Sequence, residues 1–361
     1  MSRTGRRLLI GGGVIFVACA GFVGWLMANA GQFRTIEAGG SAVCTPVGGV
    51  VGAEDIVADV ARQQAFVSID DRRATMAGAP LRGRIALIDL TQSPPVPRDV
   101  TPPVPEAFHP HGVSLWTDPE TGARSLFVVN HLEGGVPTAG MTRVEIFGVA
   151  EDGSLDHRGG VIGGEMNSPN DVLAVGPNSF YFSNDHGSET YLGFMLESFL
   201  MLPRANVVFY DGKEFRRVAD GIAFANGLGL SPDGRLLHVA ETTGFAVRTY
   251  RRDPDSGRLE LAWTTPAPNG VDNIDMMPDG SMLVAGHPHL LDFLAHTADA
   301  AELSPSEVIR VVPGDGASTV ETLLTDPGGL ISGASVATHA GPGRFLVGSV
   351  FEEKLLDCRQ R

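Results

Sequence analysis

Residues 176–186 read GPNSFYFSNDH, a Gly-Pro-Asn turn signal followed by a short apolar strand and a polar corner. Gly, Pro and Asn are typical of tight turns, and aromatic residues favour strands. The same order of apolar strand and small or polar corner recurs five times elsewhere in the chain. The recurrences lie at 66–70, 126–131, 237–241, 282–287 and 345–350.

These six segments are spaced fairly regularly, at intervals of 45 to 63 residues. Each interval is long enough for four strands and their turns, and periods of this size are typical of a propeller. The pattern therefore predicts an all-β chain folded as a six-bladed β-propeller. A two-sheet sandwich repeated twice is the alternative. The markers used for the spacing are Ile69, Asn130, Asn184, Glu241, Gly286 and Ser349.

The composition agrees with a turn-rich β protein and argues against several other classes. Glycine contributes 46 of the 361 residues without a Gly-X-Y period. The 42 Asp and Glu residues outnumber the 27 Lys and Arg residues, which gives a net charge of −15. Because phosphate binding needs a basic face, we expect no nucleic-acid partner. Clustered carboxylates favour cations instead.

The N-terminal segment differs from the rest of the chain. Three arginines within residues 3–7 precede an uncharged run over 8–28, which is long enough to span a bilayer as a transmembrane helix. The basic flank predicts that everything after the run is exported. We therefore expect a signal anchor and linker over 1–37 and an exported six-bladed propeller domain over 38–361. A signal peptide cleaved at 28–30 and a lipid-modified Cys19 are the alternatives.

Two further cysteines, Cys44 and Cys358, lie at opposite ends of the exported body. In an oxidising compartment a lone pair of cysteines is most simply a disulfide, which would bring the two ends together. Two free thiols are the alternative. Ends that meet fit a closed ring better than a sandwich.

Adjacent acid or amide residues occur at comparable places in several repeats. Neighbouring side chains at a strand end point to opposite sides, so each pair can serve two sites at different depths. Carboxylate and amide oxygens are the ligands of a hard cation such as Ca²⁺, although any one pair alone is more often a turn. The pairs are Glu54-Asp55, Asn170-Asp171, Asn184-Asp185 and Asp272-Asn273, with Asn226 as a single amide.

Other familiar catalytic motifs are missing from the sequence. It contains no His and Cys spacing typical of zinc, no Gly-x-Ser-x-Gly elbow and no phosphate-binding glycine loop. Zinc, serine-hydrolase and nucleotide chemistry are therefore disfavoured. Two histidines, His111 and His131, fall 20 residues apart on neighbouring predicted strands. Such a pair could relay a proton, since histidine titrates near neutral pH; a structural role is the alternative.

One segment has a helical pattern. Residues 189–202 are rich in Phe, Leu and Met and are followed by Pro203, which ends a helix. Such an insertion is typical of a lid or a packed helix, and contact with a membrane surface is a further option.

Taken together, these motifs resemble those of the paraoxonase/arylesterase family, in the same order and from about Cys44 to Cys358. The family's fold is a six-bladed propeller with two calcium ions in its central channel, which agrees with the repeat count. The motifs are GAED at 52–55, HPHGV at 109–113, VVNH at 128–131, PNDVLAVGP at 169–177, NDH at 184–186, FANG at 224–227, SPDG at 231–234, VDNI at 271–274 and GHP at 286–288.

The resemblance implies two sets of metal ligands and a disulfide. The deeper, structural ion would be held by Asp55, Asp171 and the backbone carbonyl of Val113. Cys44 and Cys358 match the family's terminal disulfide. The ligands of the catalytic ion near the mouth match Glu54, Asn170, Asn226, Asp272 and Asn273.

The resemblance also implies catalytic roles. His111 and His131 match the family's histidine pair, and Asp185 matches an acidic group that supports the site. His287 is assigned to the pocket wall. The 189–202 helix resembles the segment that covers the active site and touches lipid in relatives.

The function implied is that of a calcium-dependent ester hydrolase, a lactonase with promiscuous arylesterase activity on small-molecule esters. His111 would act as the base, or else a carboxylate, Glu54 or Asp272. A sugar lactonase of the gluconolactonase type is one alternative, although an apolar helix over the mouth argues against polar sugars. The other is a non-catalytic binding propeller stabilised by calcium, which would not need the full ligand set and both histidines.

Overall fold

The computed structural model describes residues 3–79, 81–104, 107–132, 141–314 and 318–361, with side chains of the first helix described from residue 16. The described residues form 24 strands and four α-helices. The helices are α1 (Arg3–Asn29), α2 (Arg72–Met76), α3 (Tyr191–Leu200) and α4 (Leu290–Ala298), and a short 3₁₀ turn covers Val60–Arg62.

The strands follow one another in groups of four after an initial strand, β1 (Ala42–Gly48). The first sheet comprises β2 (Ala53–Asp59), β3 (Gln64–Ile69), β4 (Arg84–Asp89) and β5 (Arg98–Asp99). The second comprises β6 (Pro110–Thr117), β7 (Arg124–His131), β8 (Thr142–Val149) and β9 (Leu155–Val161). The third comprises β10 (Pro169–Ala174), β11 (Phe180–Asn184), β12 (Ala205–Tyr210) and β13 (Phe215–Ile222).

The remaining strands repeat the arrangement. The fourth sheet comprises β14 (Ala225–Leu230), β15 (Leu236–Glu241), β16 (Ala246–Arg252) and β17 (Leu259–Pro266). The fifth comprises β18 (Gly270–Met276), β19 (Met282–His287), β20 (Ser306–Val312) and β21 (Thr319–Asp326). The sixth comprises β22 (Ala334–His339), β23 (Arg344–Ser349) and β24 (Lys354–Gln360), and β1 completes it by pairing with β24.

The six sheets form a closed ring. Neighbouring strands within each sheet pair antiparallel. The first strand of each sheet, called the inner strand below, contacts the inner strand of the next sheet, and β22 contacts β2. A bridge between Ala53 and Ser349 also joins the first and last sheets. The all-β class is thereby confirmed, and the described residues have the arrangement of the predicted six-bladed propeller.

The sequence repeat has a simple structural meaning. The six apolar segments found in the sequence lie on β3, β7, β11, β15, β19 and β23, the second strand of every sheet. They repeat because each occupies an equivalent place between an inner strand and a third strand. The predicted helix at 189–202 is also confirmed, as α3.

Apolar side chains fill the interfaces between neighbouring sheets. Between the first and second sheets, for example, Phe66 of β3 packs with Leu126 and Phe147. Equivalent clusters occupy the other five interfaces within the described residues. Apolar burial stabilises by about 25 cal/mol per Å². Since each core lies between two sheets, each sheet depends on its neighbours.

The N-terminal helix requires a correction to the predicted anchor. Among the residues whose structure is described, none of the helices has the combination of length and hydropathy that a membrane span requires. The predicted transmembrane anchor is therefore not supported, whereas contact of the 189–202 helix with a membrane surface stays a prediction. The division of the chain at residues 37 and 38 stays a prediction.

The end of α1 and the residues after it pack onto the propeller. Ala30 is fully buried, and its carbonyl accepts a hydrogen bond from the Leu290 amide at 3.0 Å. Arg34 forms an ion pair with the buried Glu307 of β20 at 2.6 Å. These contacts attach the N-terminal segment beside α4.

A disulfide closes the ring covalently. Cys44 of β1 and Cys358 of β24 are direct register partners and are joined by a disulfide across 314 residues of sequence. The predicted disulfide is thus confirmed. It reinforces the only sheet that is built from both ends of the described chain.

We expect the double variant Cys44→Ala/Cys358→Ala to lose about 2–4 kcal/mol of unfolding free energy, because the cross-link restricts the unfolded chain. Chemical denaturation under oxidising conditions measures the loss. Cys19→Ala is the control, since Cys19 is free and exposed. A double variant as stable as the parent would contradict the prediction.

Candidate metal and catalytic site

Every inner strand carries a β-bulge near its start. A bulge leaves residues out of the ladder and re-aims their side chains. In β2 the pairing shifts between Ala53 and Ile56, so Glu54 and Asp55 lie in the bulge. The sequence placed the acid and amide pairs at strand ends, whereas the structure places three of them in bulges. The corresponding bulges in the other sheets contain residues 111–112, 170–171, 226–227, 272–273 and 335.

The five residues predicted to bind the ion near the mouth, called the upper ligand set below, are all buried. Within this set, the Asn273 amide donates to Glu54 Oε1 at 2.9 Å. Asp272 Oδ2 accepts from His287 Nε2 at 2.9 Å. The structure therefore brings together residues from four sheets. The set consists of Glu54, Asn170, Asn226, Asp272 and Asn273.

The upper ligand set presents free oxygen atoms. Glu54 Oε2, Asn170 Oδ1, Asn226 Oδ1 and Asn273 Oδ1 are buried and have no hydrogen-bond partner. The nitrogens of all three amides are engaged, with Asp185, Thr242 and Glu54. Leaving a buried acceptor unpaired costs about 1–3 kcal/mol, and oxygen-only donors are what a hard cation takes. The residues present fit such a cation.

The buried carboxylates of the site also favour binding of a cation. Burial raises the pKa of Glu54 to about 8; Arg72 opposes the effect, while Asp272 and Asp171 add to it. Buried carboxylates of like charge are costly without a counter-charge. Among the described residues, no group of three or more His, Cys, Asp and Glu side chains is arranged to hold a metal. The upper ligand set differs from such a group because three of its five members are asparagines.

The deeper pair of carboxylates links neighbouring sheets. Asp55 Oδ2 accepts from the Val113 amide, and Asp171 Oδ2 accepts from the Leu228 amide, both at 2.7 Å. Burial raises the pKa of both carboxyls well above the ordinary value. With Val113 they line a cavity of about 260 Å³ between the inner strands. The role of Asp55, Asp171 and Val113 as ligands stays a prediction.

The two predicted histidines lie side by side. His111 of β6 and His131 of β7 have ring centroids 5.0 Å apart, and His111 Nε2 is 3.7 Å from Glu54 Oε1. Burial lowers the pKa of His111 well below its ordinary value and that of His131 to about 4, with Arg72 contributing in both cases. Both rings are therefore neutral near pH 7.

Arg72 determines the tautomer of His111. Its Nη2 lies 2.8 Å from His111 Nδ1, and guanidinium groups only donate hydrogen bonds. His111 Nδ1 is therefore the acceptor, and the neutral ring carries its hydrogen on Nε2. In this arrangement His111 can donate from Nε2 but cannot accept a proton there.

Asp185 stands next to the upper ligand set. It accepts hydrogen bonds from Ser168 and from the Asn170 amide, the latter at 3.4 Å, and its Oδ1 lies 2.7 Å from His186 Nδ1. Burial raises the pKa of Asp185, but His186 and these donors outweigh the effect, so that the pKa lies below its ordinary value. Asp185 is thus ionised.

A cavity of about 400 Å³ opens above these groups. Four of the upper ligands, His111 and Asp185 line its polar part. Its apolar part comes from α1, α3 and α4, called the mouth helices below, through side chains such as Leu26, Phe194 and Phe293. An apolar chamber with few polar groups is typical of a small-molecule site.

Sequence reasoning missed several residues of this site. Arg72 comes from a short helix without a recognisable motif, and Thr242, which accepts from Asn226, follows a strand end. His287, expected only in the wall, also donates to Asp272. The α4 segment LLDFLAHTA has a helical pattern of apolar residues, from which this helix of the cavity wall could have been predicted.

A known protein family matches most of this chain in sequence. The arylesterase family model matches residues 55–359. Serum paraoxonase/arylesterase 2 of Gallus gallus is 34% identical over 252 residues, which cover 69% of this chain and 68% of the relative. Serum paraoxonase/arylesterase 1 of Homo sapiens is 33% identical over 290 residues, 76% of each chain.

Solved structures resemble the chain in fold alone. A luciferin-regenerating enzyme superposes with a TM-score of 0.56 at 12% identity, covering 88% of this chain and 95% of its own. A protein that carries the name gluconolactonase gives 0.54 at 18% identity, with 91% and 98% covered. Such identities do not transfer an activity.

The close approach of inner strands makes Gly227 a sensitive position. A Cβ there would lie 2.5 Å from the Asn273 Cα and 2.7 Å from the Asp272 carbonyl oxygen. We expect Gly227→Ala to lose about 1–3 kcal/mol of unfolding free energy through overpacking. Gly48→Ala, whose Cβ meets no atom within 4 Å, should retain parental stability. Thermal denaturation compares them, and equal stability of the two variants would contradict the argument.

Proposed function

The chain belongs to the arylesterase family, and on that basis we propose that it is a calcium-dependent ester hydrolase, most active on lactones and also active on aryl esters. The observation that supports calcium is the set of four buried oxygens without hydrogen-bond partners. The apolar cavity of about 400 Å³ suits an ester or lactone with an apolar chain.

We assign two calcium ions to the channel. The deeper ion would be held by Asp55, Asp171 and the Val113 carbonyl. When bound, the upper ion supplies Lewis-acid stabilisation of the negative charge on the substrate carbonyl oxygen. The upper ion would be held by Glu54, Asn170, Asn226, Asp272 and Asn273.

Side chains of the protein would supply a hydrogen-bond donor for the substrate and a base for the attacking water. His111, with its hydrogen on Nε2, would donate to the developing negative charge. A carboxylate of the upper ligand set, Glu54 or Asp272, would take the proton of the attacking water. The alternative, with His111 as base, requires the Arg72 contact to break. A proton relay through His131, whose Nδ1 lies 3.1 Å from the Thr142 hydroxyl, stays a prediction.

Two other functions are supported less well. A sugar lactonase would need polar partners for hydroxyl groups, whereas the mouth helices provide Leu, Met and Phe side chains. A binding propeller would not need His111 beside the upper ligand set. The disulfide agrees with an exported protein, because disulfides persist in oxidising compartments.

The first test is hydrolysis of a medium-chain lactone and of phenyl acetate by the full chain, with calcium and after chelation. We expect turnover that is lost on chelation and restored by added calcium. Turnover that chelation leaves unchanged would refute the metal-dependent mechanism. Folded, calcium-loaded protein without turnover would favour the binding propeller.

Removing a ligand tests the upper site directly. Asp272→Ala should abolish turnover and reduce the number of calcium ions bound, as measured by calorimetry. Asp279→Ala is the matched control, since Asp279 is an exposed acidic residue of the same sheet that pairs with Arg310. Unchanged lactonase activity in Asp272→Ala would be incompatible with the assignment.

The role of His111 is tested by two substitutions. Gln keeps an N–H donor but is not a base, whereas Phe has neither property. We expect His111→Gln to stay within about tenfold of the parental kcat and His111→Phe to lose about 10²–10³-fold, the usual effect of removing one donor. If Gln loses as much as Phe, His111 is the base.

A further inference from the structure

A second set of polar side chains lies in the wall of the cavity. Ser198 of α3 has its Oγ 2.8 Å from His186 Nε2. His186 Nδ1 in turn lies 2.7 Å from Asp185 Oδ1. A hydroxyl, an imidazole and a carboxylate in this order form the nucleophile, base and orienting group of a serine triad, which is recognised by geometry and not by sequence position.

The hydrogen-bonding roles follow from the contacts of Asp185. Both of its oxygens accept hydrogen bonds, Oδ1 from Ser168 and Oδ2 from the Asn170 amide, so His186 donates to Oδ1 from Nδ1. In the neutral ring, Nε2 is then a free acceptor facing the Ser198 hydroxyl. Ser168 also donates to Asp185, which helps to hold the carboxylate in place.

Packing fixes the imidazole. His186 is 1% exposed, its ring stacks on Phe194 with centroids 3.8 Å apart, and Phe224 meets it edge-on at 5.1 Å. Ser198 and Asp185 both line the cavity, among the Phe and Met side chains that would surround an ester. The hydroxyl is therefore placed where a substrate would lie.

We propose that Ser198 is a nucleophile that accepts acyl groups from aryl esters, with His186 as its base and Asp185 as a positioning residue. The proposal rests on the proposed function, because it requires that esters enter the cavity. The covalent step itself needs no metal.

The step balances without a further co-reactant. Ser198 Oγ bonds to the carbonyl carbon while its proton passes to His186 Nε2. The bond between the carbonyl carbon and the aryl oxygen then breaks, and the phenolate takes the proton from His186. Water then attacks the acyl-serine while His186 takes its proton. His186 returns this proton to Ser198 Oγ as the acid product leaves. With a fluorophosphonate, the Oγ–P bond forms, the P–F bond breaks, and the proton leaves with fluoride.

A structural role is the competing explanation. Ser198 Oγ also lies 3.0 Å from the Phe194 carbonyl, one turn earlier in α3. If the hydroxyl donates there, His186 must donate to both Asp185 and Ser198 as an imidazolium, and Ser198 is not activated. Labelling by a fluorophosphonate separates the two cases.

The experiment treats the full, calcium-loaded chain with a fluorophosphonate and locates the adduct by mass spectrometry. We expect an adduct on Ser198 that is absent from Ser198→Ala. His186→Gln should slow labelling about 100-fold or more, the usual contribution of a general base. Thr297→Val is the matched control: Thr297 lines the same cavity, and its hydroxyl bonds to the Leu294 carbonyl. This variant should label like the parent.

Lactone turnover is measured on the same preparations, so that failure of the Ser198 proposal can be distinguished from failure of the proposed hydrolase function. Calcium-dependent turnover without an adduct on Ser198 would overturn the inference and leave the proposed function standing. Labelling of Ser198 that His186→Gln does not slow would also overturn it. An adduct on Ser198 in protein without turnover would support the inference and contradict the proposed function.

Discussion

The pairing of β1 with β24 is the interaction on which the rest of the structure depends. Each apolar core lies between two neighbouring sheets, so every core requires that the ring be closed. The sixth sheet obtains its fourth strand from the N-terminal side of the chain, and the Cys44–Cys358 disulfide lies within that pair. An open ring would expose the edge of β24 and leave the sixth sheet incomplete. Closure also sets the distances between the inner strands.

The bulges of the inner strands convert this closed ring into a site. A regular strand would direct successive side chains to opposite faces of its sheet, into the cores between sheets. The bulges release residues from the ladder, and polar side chains from four sheets then come together. The buried carboxylates and unpaired amide oxygens that result are unfavourable by themselves. Together they form a group of oxygen donors suited to a cation.

The mouth helices add a second environment above this polar site. They bring apolar side chains over ionised and amide groups, which lowers the local dielectric and strengthens electrostatic interactions with a substrate. They also contribute polar groups of their own. Ser198 lies beside His186 because α3 is inserted between β11 and β12 of the third sheet. The end of α1 is held in the cavity wall by the Ala30–Leu290 hydrogen bond and the Arg34–Glu307 ion pair. The chemistry of the cavity therefore depends on insertions as well as on the repeats.

The sequence by itself determined the repeat count, the all-β class, the disulfide and the helix at α3. It also predicted the residues of the upper ligand set, whose role as metal ligands stays a prediction. These features are local in sequence or recur at a regular interval, and the motifs around them resemble a known family. The sequence also predicted a membrane anchor, which the described structure does not support. Only the tertiary structure decided the bulges, the contact of Arg72 with His111 and the placement of Ser198 beside His186. The reason is physical: hydrogen bonds such as the one from Arg72 to His111 join residues 39 positions apart, and their partners are set by how closed sheets and helices pack.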